Sequence, residues 1–274
     1  MIFASDLDRT LIYSKRAIEE FGVPEGLALI PVEQKDGNWV AFMTETSYNQ
    51  LKELTNQSLF IPVTTRTTEQ FSRFVIFQQD ISIKYAITSN GANILYHGRL
   101  MEDWSNQIRD RLKLESVSQT ELLSNLKKVG VCLDGKRKQA EGWFFYFLLN
   151  SRPSDAERKF VEELAAKLGW RISLQGRKLY FIPLAISKGN ALEFICKQEG
   201  VKAVAGAGDS LLDWDFLKNC KYRFVPNHGE LARHLTHELG GGTSMLTAIS
   251  GVCAGEEITQ YFHQLMHTNP IFLS

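Results

Sequence analysis

The sequence predicts an α/β protein: a core built on a parallel sheet, interrupted by an inserted α+β domain. Three observations carry that reading. Strand-length apolar runs alternate with helix-length segments over residues 1–102 and again over 184–274, the pattern of parallel strands joined by crossover helices. Between them, over 103–183, the order changes to helix, hairpin, helix, hairpin, which suits an antiparallel sheet with helices on one face. At 274 residues and 44% hydrophobic content, the chain is long enough to bury two such cores.

Charge and cysteine content narrow the function classes. Lys plus Arg (31) equals Asp plus Glu (31), so no net field draws the chain to nucleic acid or to an anionic membrane, and neither is expected as a partner. An anionic ligand must be held locally. The four cysteines, Cys132, Cys196, Cys220 and Cys253, lack C-x-x-C spacing and neighbouring histidines, and are read as free thiols. With neither a leader pattern nor an apolar run of membrane-spanning length, a soluble, cytoplasmic protein is expected.

Each element has a local reason. Ile2 to Ala4 is an apolar strand that runs into Asp6 and Asp8; residues alternate along a strand, so the two carboxylates share a face if it continues regularly. Ser14 to Phe21 reads as a short helix stopped at Gly22. Leu27 to Val32 and Trp39 to Thr44 flank Asp36-Gly37, a hairpin signal, and read as a flap over the end of the first strand. Thr46 or Ser47 is the expected cap of a helix to Asn56 with Leu51 and Leu54 inward. Leu59 to Arg66 is a second apolar run, ending in hydroxyls and a cation, in which Pro62 argues against a fully paired central strand. A helix over 68–78 and a strand from Lys84, stopping at Asn90-Gly91, follow.

In the insertion, helices are expected near 103–114, 119–128 and 154–168, and strands at 129–133, 143–149, 170–174 and 178–183. Beyond it come a helix from Ser187 to Glu199, a strand at 203–207 entering Gly208-Asp209-Ser210, a helix through Leu217, a strand at 222–225, a helix over 229–239, a flexible joint at Gly240 to Gly242 and a helix over 256–266.

Four islands then fall at strand ends or helix starts: Asp6-x-Asp8-x-Thr10, Thr64, Lys188 and Asp209-Ser210-x-x-Asp213. Open parallel sheets bind ligands beyond the carboxyl ends of their strands, so the islands can converge on one cleft supplied with acids, a hydroxyl and a cation. Crowded carboxylates call for a cation or a shared proton between them.

This set, in this order, resembles the haloacid dehalogenase (HAD) superfamily of phosphohydrolases, in particular its Cof-type branch (subclass IIB), whose C2-type cap lies between the second and third motifs. Asn90-Gly-Ala92 and Pro226-Asn-His-Gly229 also resemble landmarks of that branch. The resemblance implies a Rossmann-like core, an α+β cap and Mg²⁺-dependent hydrolysis of a small phosphorylated metabolite, a sugar phosphate first. It makes Asp6 the nucleophile that forms an aspartyl-phosphate and Asp8 the general acid and base. Mg²⁺ would be held by Asp6, Asp209 and the backbone carbonyl of Asp8, while Asp213 would either ligate it or hold its waters. Thr64 and Lys188 would hold phosphoryl oxygens, and Thr10 and Ser210 would support the two acidic loops. Arg66, Asn90 and Asn227 are candidates for the phosphate loop or substrate, with a turn role equally open for Asn227. The branch usually places Gly after the second-motif hydroxyl, where this chain has Thr65; by register Thr64 is favoured over Thr65 as the phosphate contact.

Other residues take plainer readings. His228 is expected to hydrogen-bond within its loop. Lys136, Arg137 and Lys138 read as a solvated turn in the first cap hairpin rather than a reader of a second anionic group. Phe144, Tyr146 and Leu148 read as core packing rather than a substrate platform. A phosphotransferase or phosphomutase is the nearest enzymatic alternative, and a non-catalytic phosphate-ligand sensor the non-enzymatic one.

Overall fold

Strand β1, Ile2–Ser5, is buried along its whole length in the computed structural model, which describes residues 1–235 and 243–267. The short strand β2, Tyr13–Ser14, leads into helix α1, Lys15–Phe21, whose first turn is capped by the Ser14 hydroxyl accepting from the Ala17 amide. Strands β3, Leu29–Lys35, and β4, Asn38–Thr44, form the expected hairpin. Its turn residues Asp36 (φ 50°) and Gly37 (φ 76°) are both left-handed, which matches the twist of a tight hairpin. With β2 they make a three-stranded sheet in the order β2-β4-β3.

Helix α2, Glu45–Gln57, is capped by Thr44, which accepts from the Ser47 amide at 3.0 Å, and not by Thr46 or Ser47. The strand ends where the helix begins, so the last strand residue does the capping. Leu51 and Leu54 are buried as expected. Strand β5, Leu59–Pro62, pairs in parallel with β1. The Leu59 and Val63 amides donate towards β1, which turns the nitrogen of Pro62 to the opposite side, where it interrupts no bond to β1.

The single helix expected over 68–78 is instead two one-turn helices, α3, Thr68–Phe71, and α4, Ile76–Gln79. Between them the chain is drawn onto β3: Phe74 bridges Glu33, the Val75 amide donates to Val32, and the Arg73 carbonyl accepts from Gln34. Strand β6, Tyr85–Thr88, does not join the parallel sheet as a full partner. It pairs antiparallel with β7, Asn93–Tyr96, which pairs with β8, Arg99–Leu100; both follow strands were absent from the expectation. A single parallel bridge, Val63 to Ile87, ties β6 to the end of β5.

Residues 101–187 form a compact unit of their own. It holds helices α5, Glu102–Glu115, and α6, Gln119–Lys128, strands β9, Gly135–Ala140, and β10, Phe144–Leu149, helix α7, Asp155–Lys167, and strands β11, Trp170–Gln175, and β12, Lys178–Pro183. The sheet order is β11-β12-β10-β9, antiparallel throughout. No strand forms over 129–133, and β9 lies further on, so Lys136, Arg137 and Lys138 occupy a strand rather than a turn. All three are exposed, and the Arg137 guanidinium lies 4.5 Å above the Phe145 ring and donates to Gln119 at 2.7 Å. The core of this unit uses Phe145, Leu149, Leu179, Phe181 and Trp170 against Leu122, Leu126, Val161 and Ala165 of α6 and α7. Strand alternation puts Phe144, Tyr146 and Leu148 on the sheet face away from that cluster; Phe144 is nonetheless buried, as its reading as a packing residue expects, whereas Tyr146 and Leu148 are only partly buried.

The first unit resumes with α8, Lys188–Glu199, β13, Ala203–Ala207, α9, Trp214–Leu217, β14, Tyr222–Val225, and α10, Glu230–Leu235. The expected end of that last helix, 236–239, and the joint at 240–242 lie outside the described residues. Strand β15, Thr243–Leu246, which was not expected, pairs in parallel with β14, and α11, Val252–His267, begins four residues before its expected start. The main sheet is wholly parallel, in the order β15-β14-β13-β1-β5. Later strands add outward from β1 in both directions, so the order reverses between β1 and β13. Phe3, Phe60, Ala205, Phe224 and Phe262 contribute to the core of this unit.

Candidate active site

The acidic residues stand where β1 and β13 end side by side. The Asp6 amide donates to the Ala207 carbonyl at 2.9 Å, which extends the pairing of the two strands one step into the site. Beyond Asp6 the strand stops. The amides of Thr10, Leu11 and Ile12 all donate to the Leu7 carbonyl, and Arg9 takes a left-handed φ of 64°. Strand alternation thus does not carry through to Asp8, and the two carboxylates meet different cations.

Asp6 is buried, and its Oδ1 accepts from Lys188 Nζ at 2.9 Å. The same ammonium donates to Asp213 Oδ1 at 2.6 Å, and Lys188 itself is 1% exposed at the first turn of α8. Asp213 is fixed from its other oxygen, which accepts from the amide and hydroxyl of Ser210 at 2.9 and 2.7 Å. Gly208 permits this loop to close: a Cβ there would lie 2.4 Å from the Asp213 Cβ. Thr10 is buried, and its hydroxyl is 3.5 Å from Asp6 Oδ2. Carboxylate oxygens of Asp6, Asp209 and Asp213 lie within 4.8 Å of one another.

Burial raises the Asp6 carboxyl to about 7, with Asp213 adding to the rise and Lys188 opposing it. Burial, then Asp213 and Asp6, also drive Asp209 well above the ordinary carboxylate range. Burial acts to lower Lys188, but Asp213 and Asp6 outweigh it and raise its pKa. One ammonium cannot balance three crowded acids. The oxygen-only donor set and its surplus negative charge fit a hard divalent cation.

Asp8 is held differently. Both its oxygens accept from Arg66, from Nε and Nη2 at 2.6 Å each, while Nη1 and Nη2 reach Glu33 at 2.6 and 3.0 Å. The guanidinium also lies 4.2 Å over the Phe74 ring. Arg66 is thus committed to Asp8 and Glu33. Glu33 is a component the sequence reading missed; it sits in an edge strand of a hairpin, with nothing in its neighbours to mark it as buried.

Thr64 is buried at the end of β5, where its hydroxyl accepts from the Arg66 amide at 3.1 Å and its carbonyl from the Asn90 amide at 3.0 Å. Asn90 has left-handed torsions (φ 58°), and both polar atoms of its buried side chain meet no protein hydrogen-bond partner. The Asn227 side chain is used within its own loop region: it donates to the Ala248 carbonyl at 3.2 Å and accepts from Ser250 at 2.6 Å. His228 bonds outside its own loop, through Nε2 to the Arg9 carbonyl at 3.0 Å and through Nδ1, which accepts from the Gly251 amide at 3.2 Å, so it ties the loop after β14 to the acidic loop after β1.

Comparison with known proteins agrees with this arrangement. Residues 1–230 match the family model described as sucrose-6F-phosphate phosphohydrolase. The chain belongs to that family. It is accordingly a phosphatase. No curated protein matches in sequence. Among solved structures it is similar in fold to the sucrose-phosphatase of Synechocystis, determined with sucrose and phosphate, at a TM-score of 0.66 and 14% identity, covering 96% of this chain and 97% of that one. A trehalose-6-phosphate phosphatase related protein is similar at a TM-score of 0.54 and 15% identity, covering 97% and 98%. A haloacid dehalogenase-like hydrolase from Bacillus subtilis is similar at 0.56 and 15%, covering 98% and 92%. No helix among the described residues is long and apolar enough to cross a membrane.

Proposed function

We propose that the chain hydrolyses a sugar phosphate, sucrose 6F-phosphate first among candidates, through an aspartyl-phosphate on Asp6 and with Mg²⁺ as cofactor. The observation that carries the reading is the bridge from Lys188 to Asp6 and Asp213, with Asp209 beside them, at the carboxyl ends of β1 and β13. Asp6 Oδ2 attacks phosphorus, and the bond from phosphorus to the sugar oxygen breaks. Asp8 gives its proton to the leaving alkoxide; it then takes one from water, which attacks phosphorus, releases phosphate and restores Asp6. Lys188 holds Asp6 in line and, with the Thr64 hydroxyl, offers donors to phosphoryl oxygens. Asp6 and Asp209, with the Asp8 backbone carbonyl, would hold Mg²⁺, and Asp213 would position its waters. When bound, the cation screens the repulsion between carboxylate and phosphate.

Both carboxylate oxygens of Asp8 accept from the guanidinium of Arg66, so transfer of a proton by Asp8 requires one of these bonds to loosen. The unit over 101–187 is proposed to be a C2-type cap of the Cof-type branch, supported by its antiparallel sheet, its helices on one face and its insertion between Thr64 and Lys188 in sequence. The sucrose assignment is supported by the family description and by the sugar bound to the Synechocystis neighbour. Phosphate release from sucrose 6F-phosphate, trehalose 6-phosphate, glucose 6-phosphate and a nucleoside monophosphate should rank sucrose 6F-phosphate first, and chelator should abolish it. Equal rates on all four would reject the substrate class.

A further inference from the structure

We propose that Glu53, His263 and His267 form a second metal site, for Zn²⁺ or a divalent ion of similar ligand preference, that joins α2 to α11 at the opposite edge of the parallel sheet from the acidic cluster. His263 and His267 are one helical turn apart on α11 and so project from the same face. Their Nε2 atoms lie 3.4 Å apart. Two nitrogens bound to one tetrahedral zinc at about 2.05 Å would be separated by about 3.3 Å, so the pair already has the spacing of adjacent ligands. Glu53 on α2 completes the set, its oxygens 3.0 Å from His263 Nε2 and 4.0 Å from His267 Nε2. All three donor atoms fall within 4.8 Å of one another.

The convergence is poorly served by hydrogen bonds alone. His263 Nε2 faces both a carboxylate, which needs a donor, and a second imidazole nitrogen, which one proton on either ring cannot serve together with the carboxylate. An ion placed among the three takes a lone pair from each. Two imidazoles and one carboxylate select a borderline ion such as Zn²⁺ over the hard Mg²⁺ suited to three carboxylates. His263 and His267 are 27% and 51% exposed at their side chains, which leaves room for water to complete the coordination.

The helices beneath the site are already held in register. One turn before His263, the Thr259 hydroxyl donates to Gln50 Oε1 at 2.7 Å, and Gln50 stands one turn before Glu53, so the ligands extend an existing seam between α2 and α11. Gly255, nearer the start of α11, packs against the backbone of Thr10 and Leu11 beside the acidic loop; the eight residues from Gly255 to His263 span about 12 Å. Glu53 stands six residues before β5 begins, at the amino edge of the sheet, whereas Asp6 and Asp209 follow the carboxyl ends of their strands. The expected role is structural: a clamp on the last described helix.

The test uses the full chain without a histidine tag, in saturating Mg²⁺ so that the acidic cluster is occupied. Titration with Co²⁺, whose visible absorption reports its coordination, should show one equivalent bound with imidazole ligation, displaced by Zn²⁺. His263→Ala and His267→Ala should each weaken that binding at least tenfold, and Zn²⁺ should raise the melting temperature of the parent but not of the variants. Phosphatase activity in Mg²⁺ should be unchanged in both. Co²⁺ binding of equal strength in the parent and in His267→Ala, or no binding beyond the Mg²⁺-protected cluster, would overturn the proposal. Glu53→Gln supplies an independent check, since it leaves α11 untouched and should weaken binding as well.

Discussion

Asp8 shows how a residue's neighbours constrain its chemistry. In sequence it is one half of D-x-D; in space its carboxylate is gripped by Arg66, which is itself backed by Glu33 and stacked on Phe74. A lysine has one point charge and cannot make the paired bonds of that guanidinium. Arg66→Lys is therefore expected to lower kcat about tenfold or more with little change in thermal stability, because the acid-base contribution at risk is typically about 10² to 10⁴. Steady-state kinetics beside a melting curve checks this, and unchanged kcat would remove Arg66 as a positioning residue. The sequence already contained Asp6, Asp8, Thr64, Lys188, Asp209 and Asp213 as islands, because chain order and strand-end placement are local properties. Glu33 was not legible, since its burial arises only when Phe74 and Arg66 arrive from 33 or more residues away.

Elements differ in how much of their character is written locally. The helix over 119–128 lies at its expected bounds because Ser118 caps it and Leu122 and Leu126 repeat at helical spacing. The helix expected over 68–78 broke because pairing of residues 73–75 with β3, a tertiary event, outweighed helix propensity. In the inserted unit the strands expected at 143–149, 170–174 and 178–183 form within a residue of those bounds, and only 129–133 gives way to β9; alternation alone does not tell which of a strand's two faces meets the helices when both carry apolar residues. Phe145 belongs to the cluster between the sheet and its helices: it is fully buried, stacked on Phe181 at 5.1 Å between centroids and 5.6 Å from Trp170, while Phe144, also buried, lies on the opposite face. Phe145→Ala should destabilise this unit by about 3–5 kcal/mol in a denaturant titration. Replacing Tyr146, on the other face, should cost less. The reverse order would contradict the assignment of faces.

For the molecule as a whole, the buried acids tie stability to pH and to metal. Asp6 titrates near 7 in the folded chain against 3.8 for a free aspartate, so its favourable contribution, relative to the ionised form, is complete below about pH 3.8 and is lost as pH rises through 7. The loss is roughly 4 kcal/mol by that shift. In chelator, the stability of the parent relative to Asp6→Asn should therefore fall between about pH 4 and 7, and Mg²⁺ should restore much of it above pH 7. A difference that stays flat with pH would show that Asp6 is not held in this unfavourable burial. The role of Asp6 as the attacking group is reached directly by one measurement: phosphate release from sucrose 6F-phosphate by Asp6→Asn, with mass spectrometry of the peptide around Asp6 in the slow Asp8→Asn variant. The prediction is no turnover above background in the first and a phosphoryl group on Asp6 in the second. Turnover by Asp6→Asn near the parent's rate, from a folded protein, would contradict it.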